Sequence, residues 1–211
     1  MNRYQILIEY VGTNFIGWQI QSEGQSVQKL IQTKISKLLK EKINLVGSGR
    51  TDSGVHAIEQ SAHFDCKKKI ENLDKFLQSI NYFLNLKLIS ITHIKRRSLS
   101  FHARFSAKQR IYRYVIFNRI STPSIKKNRG WHIRKKLDLK LMKKGAKKLL
   151  GTNDFTTFRS SSCNAKSPIR TIKSIKIKEV KDKIEIQFKS QSFLQQQVRS
   201  MVGCLKQVAE K

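Results

Sequence analysis

The hydrophobic pattern of this chain switches repeatedly between a period of two and the spacing of a helix, and this switching restricts the fold most. The segment "YQILIEY" is typical of a half-buried strand, since one face carries Tyr4, Ile6, Ile8 and Tyr10. Residues 26–39 then follow helical spacing, with Ser26 as a suitable N-cap. The period returns to two in residues 58–66 and to helical spacing in residues 73–84.

The second half of the chain repeats this mixture of elements. "RIYRYVIF" predicts a strand, and residues 138–150 predict a helix that stops at Gly151. "TIKSIKIK" and "KIEIQFK" predict a pair of strands, and a last amphipathic helix follows. We therefore expect an α+β fold of two similar subdomains, residues 1–100 and 101–211, with antiparallel or mixed sheets flanked by helices and a cleft between them.

The charge of the chain indicates the kind of partner. Lys and Arg number 43 and Asp and Glu 14, which gives a formal net charge of +29 at pH 7. So many Lys and Arg side chains repel one another unless a bound polyanion neutralises them, so nucleic acid is the expected partner. A compositional bias toward lysine, isoleucine and asparagine is the alternative, and charge alone does not distinguish DNA from RNA.

Several classes of protein do not fit this sequence. No run approaches the roughly 18 apolar residues of a membrane span. The opening "MNRYQILIEY" lacks the apolar core of a signal peptide. Cys66, Cys163 and Cys204 lie far apart without metal-ligand spacing. We expect a cytoplasmic protein with reduced thiols, no metal and no membrane contact.

The most unusual stretch is "GSGRTDSGVHA", residues 47–57, which holds three glycines in a glycine-poor chain. It has neither the glycine spacing of a dinucleotide-binding turn nor the Gly-Lys-Ser/Thr of a phosphate-binding loop. An ordinary hairpin loop explains the glycines, but it does not explain Arg50 two residues before Asp52. A carboxylate in such a loop suits a nucleophile or base, and His56 suits either an acid–base group or a hydrogen-bonding loop histidine.

The segment "GRTDSGVHA" closely resembles the signature of the tRNA pseudouridine synthase A family. Further segments resemble the family in order along the chain: "YVGTNFIGWQIQ", "SVQKLIQTKISKLL", "FHARFSAKQRIYRYVIFN", "GTNDFTTFRSS", "SPIRTI" and "FLQQQVRSMVG". The resemblance therefore runs through essentially all 211 residues.

The resemblance implies an enzyme that isomerises uridine to pseudouridine at positions 38, 39 and 40 of the tRNA anticodon stem-loop. It implies a homodimer without cofactor or metal, whose subunits each have two α+β halves beside a basic cleft. It makes Asp52 the catalytic residue, Arg50 and Arg199 its supporting residues, and Tyr112 a substrate-binding residue.

These residue types suit the reaction. The N1–C1′ bond of uridine breaks and a C1′–C5 bond forms, so the reaction is redox-neutral. A carboxylate near the ribose either attacks it or removes a proton, and the sequence leaves both routes open. The base must first leave the stack. Tyr112 can then stack on the uracil, Arg50 can fill the vacated space, and Arg199 can keep Asp52 ionised.

Weaker candidates for phosphate contacts are His102, Arg104, Arg159 and Arg170. The family usually continues for several tens of residues past its "VRSMVG" helix, whereas this chain stops at Lys211, so the second subdomain is expected to be short at its carboxyl-terminal end. Two other functions remain as alternatives. One is a basic RNA-binding protein that keeps the scaffold without catalysis, and the other is a metal-dependent nuclease using His56, His63 and Asp65.

Overall fold

The computed structural model describes residues 1–210 and divides into two compact units. The first unit is Met1–Ala107, and the second begins at Lys108. Each unit contains one sheet and two α-helices. The predicted α+β class, with antiparallel and mixed sheets flanked by helices, is confirmed.

The first unit has a four-stranded sheet in the order β2-β3-β1-β4, in which all neighbours are antiparallel. Its strands are β1 (Asn2–Tyr10), β2 (Leu45–Gly47), β3 (Ala57–Cys66) and β4 (Ile89–Arg97). Ile6 of β1 lies opposite Ala62 of β3 and Ile94 of β4. The alternate side chains of β1 that the sequence placed on one face, Tyr4, Ile6, Ile8 and Tyr10, are all buried.

Helices α1 (Val27–Leu39) and α2 (Leu73–Leu84) cover that apolar face of the sheet. Their first turns are capped by side chains, because Ser26 accepts a hydrogen bond from the Lys29 amide and Asn72 accepts one from the Lys75 amide. The opposite face of the sheet carries polar side chains such as Gln5, which lies opposite His63. The two faces of this sheet therefore differ sharply in chemistry.

The second unit has a five-stranded sheet in the order β6-β5-β9-β8-β7, and only the pair β5–β6 is parallel. Its strands are β5 (Arg110–Asn118), β6 (Trp131–Ile133), β7 (Gly151–Asp154), β8 (Ile169–Val180) and β9 (Lys183–Ser190). Helices α3 (Leu139–Lys148) and α4 (Gln197–Ala209) pack on one face around a core that includes Met142, Ile186, Phe188, Met201 and Leu205. No helix within residues 1–210 is long and apolar enough to cross a membrane.

Candidate active site

The glycine-rich stretch is the loop of the hairpin that β2 and β3 form. Gly47 lies opposite Ala62, and the Ser48 amide then donates to the Ser61 carbonyl at 2.8 Å. The side chain of Gln60 donates to the Gly49 carbonyl. The loop therefore stays attached to β3 through Gly49, and residues 50–56 project beyond the paired part of the hairpin.

The projecting part of the loop packs on the segment that follows β1. The Trp18 amide donates to the Thr51 carbonyl at 3.0 Å. The Phe15 carbonyl accepts from the Ser53 hydroxyl at 3.2 Å and from the Gly54 amide at 3.4 Å. These bonds hold the backbone on both sides of Asp52, because each pairs the loop with a chain segment far away in sequence.

Two side chains add to this attachment. The Tyr10 and Thr51 hydroxyls lie 2.7 Å apart, and Nδ1 of His56 accepts a hydrogen bond from the Gly12 amide at 3.0 Å. His56 is therefore a hydrogen-bonding loop histidine, which was one of the two roles that the sequence left open. An imidazole that accepts at Nδ1 holds the end of the loop in place.

Glycines outside the signature make this close packing possible. A Cβ on Gly12 would lie 1.9 Å from the Val55 carbonyl oxygen, which no side chain can tolerate. Gly17 has a φ of +115°, and its Cβ would lie 2.6 Å from the Thr51 oxygen. In the sequence, "GTNFIGW" is only part of a family landmark, and nothing in it indicates that it packs on the loop. The two glycines can be seen in the sequence, but the residues that they contact, Val55 and Thr51, lie too far along the chain for a local pattern to indicate them.

Asp52 occupies the centre of this fixed loop. Its carbonyl accepts from the Val55 amide at 3.2 Å, which closes a tight turn around Gly54 at φ +78°. Asp52 is half-buried and Arg50 is exposed. Within the first unit, residues 1–107, the carboxylate of Asp52 makes no hydrogen bond or ion pair. Hydrogen bonds made by Thr51, Ser53 and Gly54 thus fix the backbone on both sides of Asp52.

Tyr112 and Arg199 both belong to the second unit. Tyr112 lies opposite Phe188 in the sheet, and its half-buried ring is nearly perpendicular to that of Phe193, with 5.1 Å between ring centroids. Burial raises the pKa of Tyr114, and the positive charge of Arg199 on α4 partly opposes this rise. Arg199 is exposed on α4, so both predicted residues belong to the second unit.

Arg159 and Arg170 both belong to the second unit, where Arg159 follows residues 156–158 and Arg170 lies in β8. Burial raises the pKa of Cys163, but the amides of Ala165 and Gln195 and the charges of both arginines together bring it below its usual value. Arg170 also donates to the Ser167 carbonyl at 2.9 Å and to the Ile169 carbonyl at 2.6 Å. Its guanidinium thus supports the local backbone in addition to supplying charge.

The three residues of the metal-dependent nuclease alternative each contact a different part of the structure. His56 binds the Gly12 amide, Asp65 forms a two-bond ion pair with Arg3 at 2.7 Å, and His63 accepts from the Ala103 amide at 3.2 Å. Burial is the main cause that lowers the pKa of His63 to about 4, and the charge of Arg3 adds to it. Among residues 1–210 no group of three His, Cys, Asp or Glu side chains is arranged to hold a metal ion.

His102 and Arg104 lie in residues 98–106, which follow β4. This segment crosses the polar face of the first sheet, because its Ala103 amide binds His63 on that face. The rings of His63 and His102 are 4.8 Å apart, and the guanidinium of Arg104 lies 5.7 Å from the ring of Phe105. The two predicted residues are thus on one turn of the first unit.

Comparison with known proteins shows the family of the chain. A family model described as tRNA pseudouridine synthase matches residues 6–106 and 146–211. The chain is 74% identical over 210 residues to tRNA pseudouridine synthase A of Pelagibacter ubique (strain HTCC1062), with 100% of the chain and 85% of the relative covered. It is 38% identical over 242 residues to tRNA pseudouridine synthase A of Orientia tsutsugamushi (strain Ikeda), with 97% and 86% covered. The resemblance found in the sequence is therefore confirmed, and the chain belongs to the tRNA pseudouridine synthase family.

Proposed function

We propose that this chain isomerises uridine to pseudouridine in tRNA, with Asp52 as its catalytic carboxylate. The observation that carries the proposal is the fixed loop around Asp52, which is bonded on both sides to residues 12–18 while its carboxylate has no partner in the first unit. A catalytic group held in this way is preorganised for reaction. The substrate positions proposed are 38, 39 and 40 of the anticodon stem-loop, and the compartment proposed is the cytoplasm.

The reaction balances without an electron carrier. The N1–C1′ bond of uridine breaks, the uracil turns, and a C1′–C5 bond forms. The hydrogen on C5 leaves as a proton, and N1 gains one. Asp52 assists either by attacking the ribose or by taking a proton from it, and both routes need an ionised carboxylate at this place.

The remaining site residues have distinct proposed roles. Tyr112 supplies an aromatic face for the detached uracil, which fits its ring nearly perpendicular to that of Phe193. Arg199 supplies positive charge to the catalytic centre. Arg50, exposed on the loop beside Asp52, fills the space that the flipped base leaves.

Phosphate contacts are proposed for residues with positive charge or hydrogen-bonding rings outside the loop. The net charge of +29 supports a polyanionic substrate. Arg159 and Arg170 supply positive charge in the second unit, and Arg104 does so in the first unit, where the ring of His102 adds a hydrogen-bonding group. Such contacts orient the RNA and give affinity, but they do not read its sequence.

The first prediction tests the activity itself. The protein will release tritium from C5 of uridine in an unmodified tRNA transcript, because forming the C1′–C5 bond displaces that hydrogen. A matched transcript with cytidine at positions 38, 39 and 40 will release none. Tritium released equally from both transcripts would contradict the proposed positions. Binding of tRNA without any release would identify the non-catalytic RNA-binding protein instead.

The second prediction concerns assembly. We expect two chains to pair, as the family resemblance implies, with one tRNA reaching both subunits. Sedimentation velocity at micromolar concentration should then give the mass of a dimer, about twice the 24.5 kDa of the chain. A single species with the mass of the monomer over the same range would argue against the dimer.

A further inference from the structure

The turn formed by residues 101–106, here called the FHARF turn, carries a large aromatic side chain that the fold does not bury. Phe105 is 76% exposed, although a phenylalanine normally contributes to a core. Its nearest ring neighbour is His102, with 4.4 Å between ring centroids and 33° between the ring planes. With this exposure, most of the Phe105 ring surface is accessible for stacking.

The FHARF turn is firmly attached to the sheet beneath it. The guanidinium of Arg3 is held by two hydrogen bonds to Asp65 and donates to the carbonyls of Leu99 and Phe101, both at 2.6 Å. The Ala103 amide donates to His63. These contacts reach across more than 35 residues of chain, so the position of the turn is set by the sheet and not by local sequence alone.

Hydrogen bonds inside the FHARF turn fix the orientation of its rings. The Nδ1 atom of His102 accepts from the Arg104 amide at 3.2 Å and from the Phe105 amide at 3.4 Å. The Ser106 amide donates to the His102 carbonyl at 2.8 Å, and the Ser106 hydroxyl accepts from the His102 amide at 3.0 Å. The rings of His63, His102 and Phe105 thus form a series that runs from the buried face of the turn to solvent.

The charge around this series has one sign. Residues 95–108 contain five Lys or Arg residues and no Asp or Glu. The guanidinium of Arg104 lies 5.7 Å from the Phe105 ring centroid, and that of Arg97 lies 5.1 Å from the Phe101 ring. A ligand suited to this surface combines a flat aromatic face with negative charge, which describes a nucleotide.

We propose that Phe105, supported by His102 and flanked by Arg104, stacks on an unpaired base of the RNA substrate. The proposal rests on the proposed function, from which it takes RNA as the ligand. The base is a different one from the reacting uridine. His63, beneath the turn, is six residues along β3 from Ala57, where the loop of Asp52 ends, and six residues of strand rise about 20 Å.

The third prediction measures this contact by binding alone. In protein that also carries Asp52→Asn, Phe105→Ala will weaken binding of an anticodon stem-loop RNA about ten-fold, the size expected for one stacked base. Phe105→Trp will keep the affinity, and Phe105→Leu will not, because leucine is apolar but has no aromatic face. Fluorescence polarisation with a labelled stem-loop gives the Kd. Tyr82→Ala, which removes an equally exposed ring from α2, is the matched control and leaves Kd unchanged.

A second measurement shows whether a base is the partner. Each unpaired nucleotide of the stem-loop is replaced in turn by an abasic one, and Phe105→Ala is measured on every RNA. At one position the abasic RNA and Phe105→Ala will cause the same loss, and combining them will add nothing further. The slope of log Kd against log salt will stay that of the parent protein, because no phosphate contact is removed.

Several results would overturn the proposal. Wild-type affinity for Phe105→Ala would do so, as would an equal ten-fold loss on every abasic RNA. A shift of Phe105→Ala from dimer to monomer in sedimentation without RNA would identify a second copy of the chain as the partner of the ring. Tritium release by the wild-type protein is read separately, so a failure of this contact leaves the proposed activity intact.

Discussion

Asp52→Asn will abolish pseudouridine formation and leave the affinity for tRNA within a few-fold of wild type. Asparagine keeps the size of the side chain and its hydrogen-bonding reach, but it removes the negative charge and the basicity. Both routes open to the carboxylate, attack on the ribose and proton removal, need that charge. Affinity depends mainly on phosphate contacts elsewhere, so it should change little.

Single-turnover tritium release and a binding assay on the same preparation measure the two effects together. Asp74→Asn is a matched control, since it removes an exposed carboxylate from the first turn of α2 and should leave turnover unchanged. Arg50→Ala should behave differently from Asp52→Asn, with turnover slowed at base flipping and some activity left. An Asp52→Asn protein that converts uridine at nearly the wild-type rate would remove Asp52 from the catalytic role.

Gly12→Ala will have the second large effect, because it forces the catalytic loop away from the segment that holds it. The new Cβ would lie 1.9 Å from the Val55 oxygen and 2.6 Å from the Val55 carbonyl carbon, so one of the two backbones must move. Such overpacking costs about 1–3 kcal/mol of stability. The same movement breaks the bond from the Gly12 amide to His56, and a displacement of about 1 Å at a reacting group costs on the order of 100-fold in rate.

Urea unfolding and kcat/KM for tritium release measure these two losses. Gly203→Ala is the matched control, because this glycine lies inside α4 and a Cβ there would meet no heavy atom within 4 Å. Replacing a helical glycine by alanine stabilises by about 0.5–1 kcal/mol, so the control should unfold at higher urea. If Gly12→Ala kept wild-type stability and rate, the close approach of the two backbones would not matter for catalysis.

Much of the secondary structure follows from local patterns. Ser26 caps α1 as its sequence predicts, and the helical pattern of residues 73–84 is α2 over the same range. The predicted helix over residues 138–150 is shorter in the structure, since α3 ends at Lys148 and Gly151 begins β7 with a φ of +85°. Gly151 lies beyond the end of the helix and begins a strand. Periodicity alone does not show whether a glycine at this place only ends a helix or also begins a strand.

Short strands and pairing order were not predictable in this way. β6 has three residues and β7 has four, too few to show a period of two. The order β2-β3-β1-β4 and the parallel pair β5–β6 depend on contacts between distant parts of the chain. Family resemblance made Asp52 the predicted catalytic residue, whereas residue patterns alone left an ordinary hairpin loop as an alternative.

The α+β class, the hairpin position of the Asp52 loop and the family all follow from the sequence alone, because each is encoded in short-range periodicity or in a contiguous motif. Which residues hold that loop depends on tertiary contacts. The Gly12 amide meets His56 and Tyr10 meets Thr51 across more than 40 residues of chain. Likewise, His63 is a buried acceptor beneath the FHARF turn, and the Ala103 amide that it binds lies 40 residues away in the chain. A local sequence pattern cannot predict such partners, because the close approach of two backbones depends on how the sheet and its connecting segments pack.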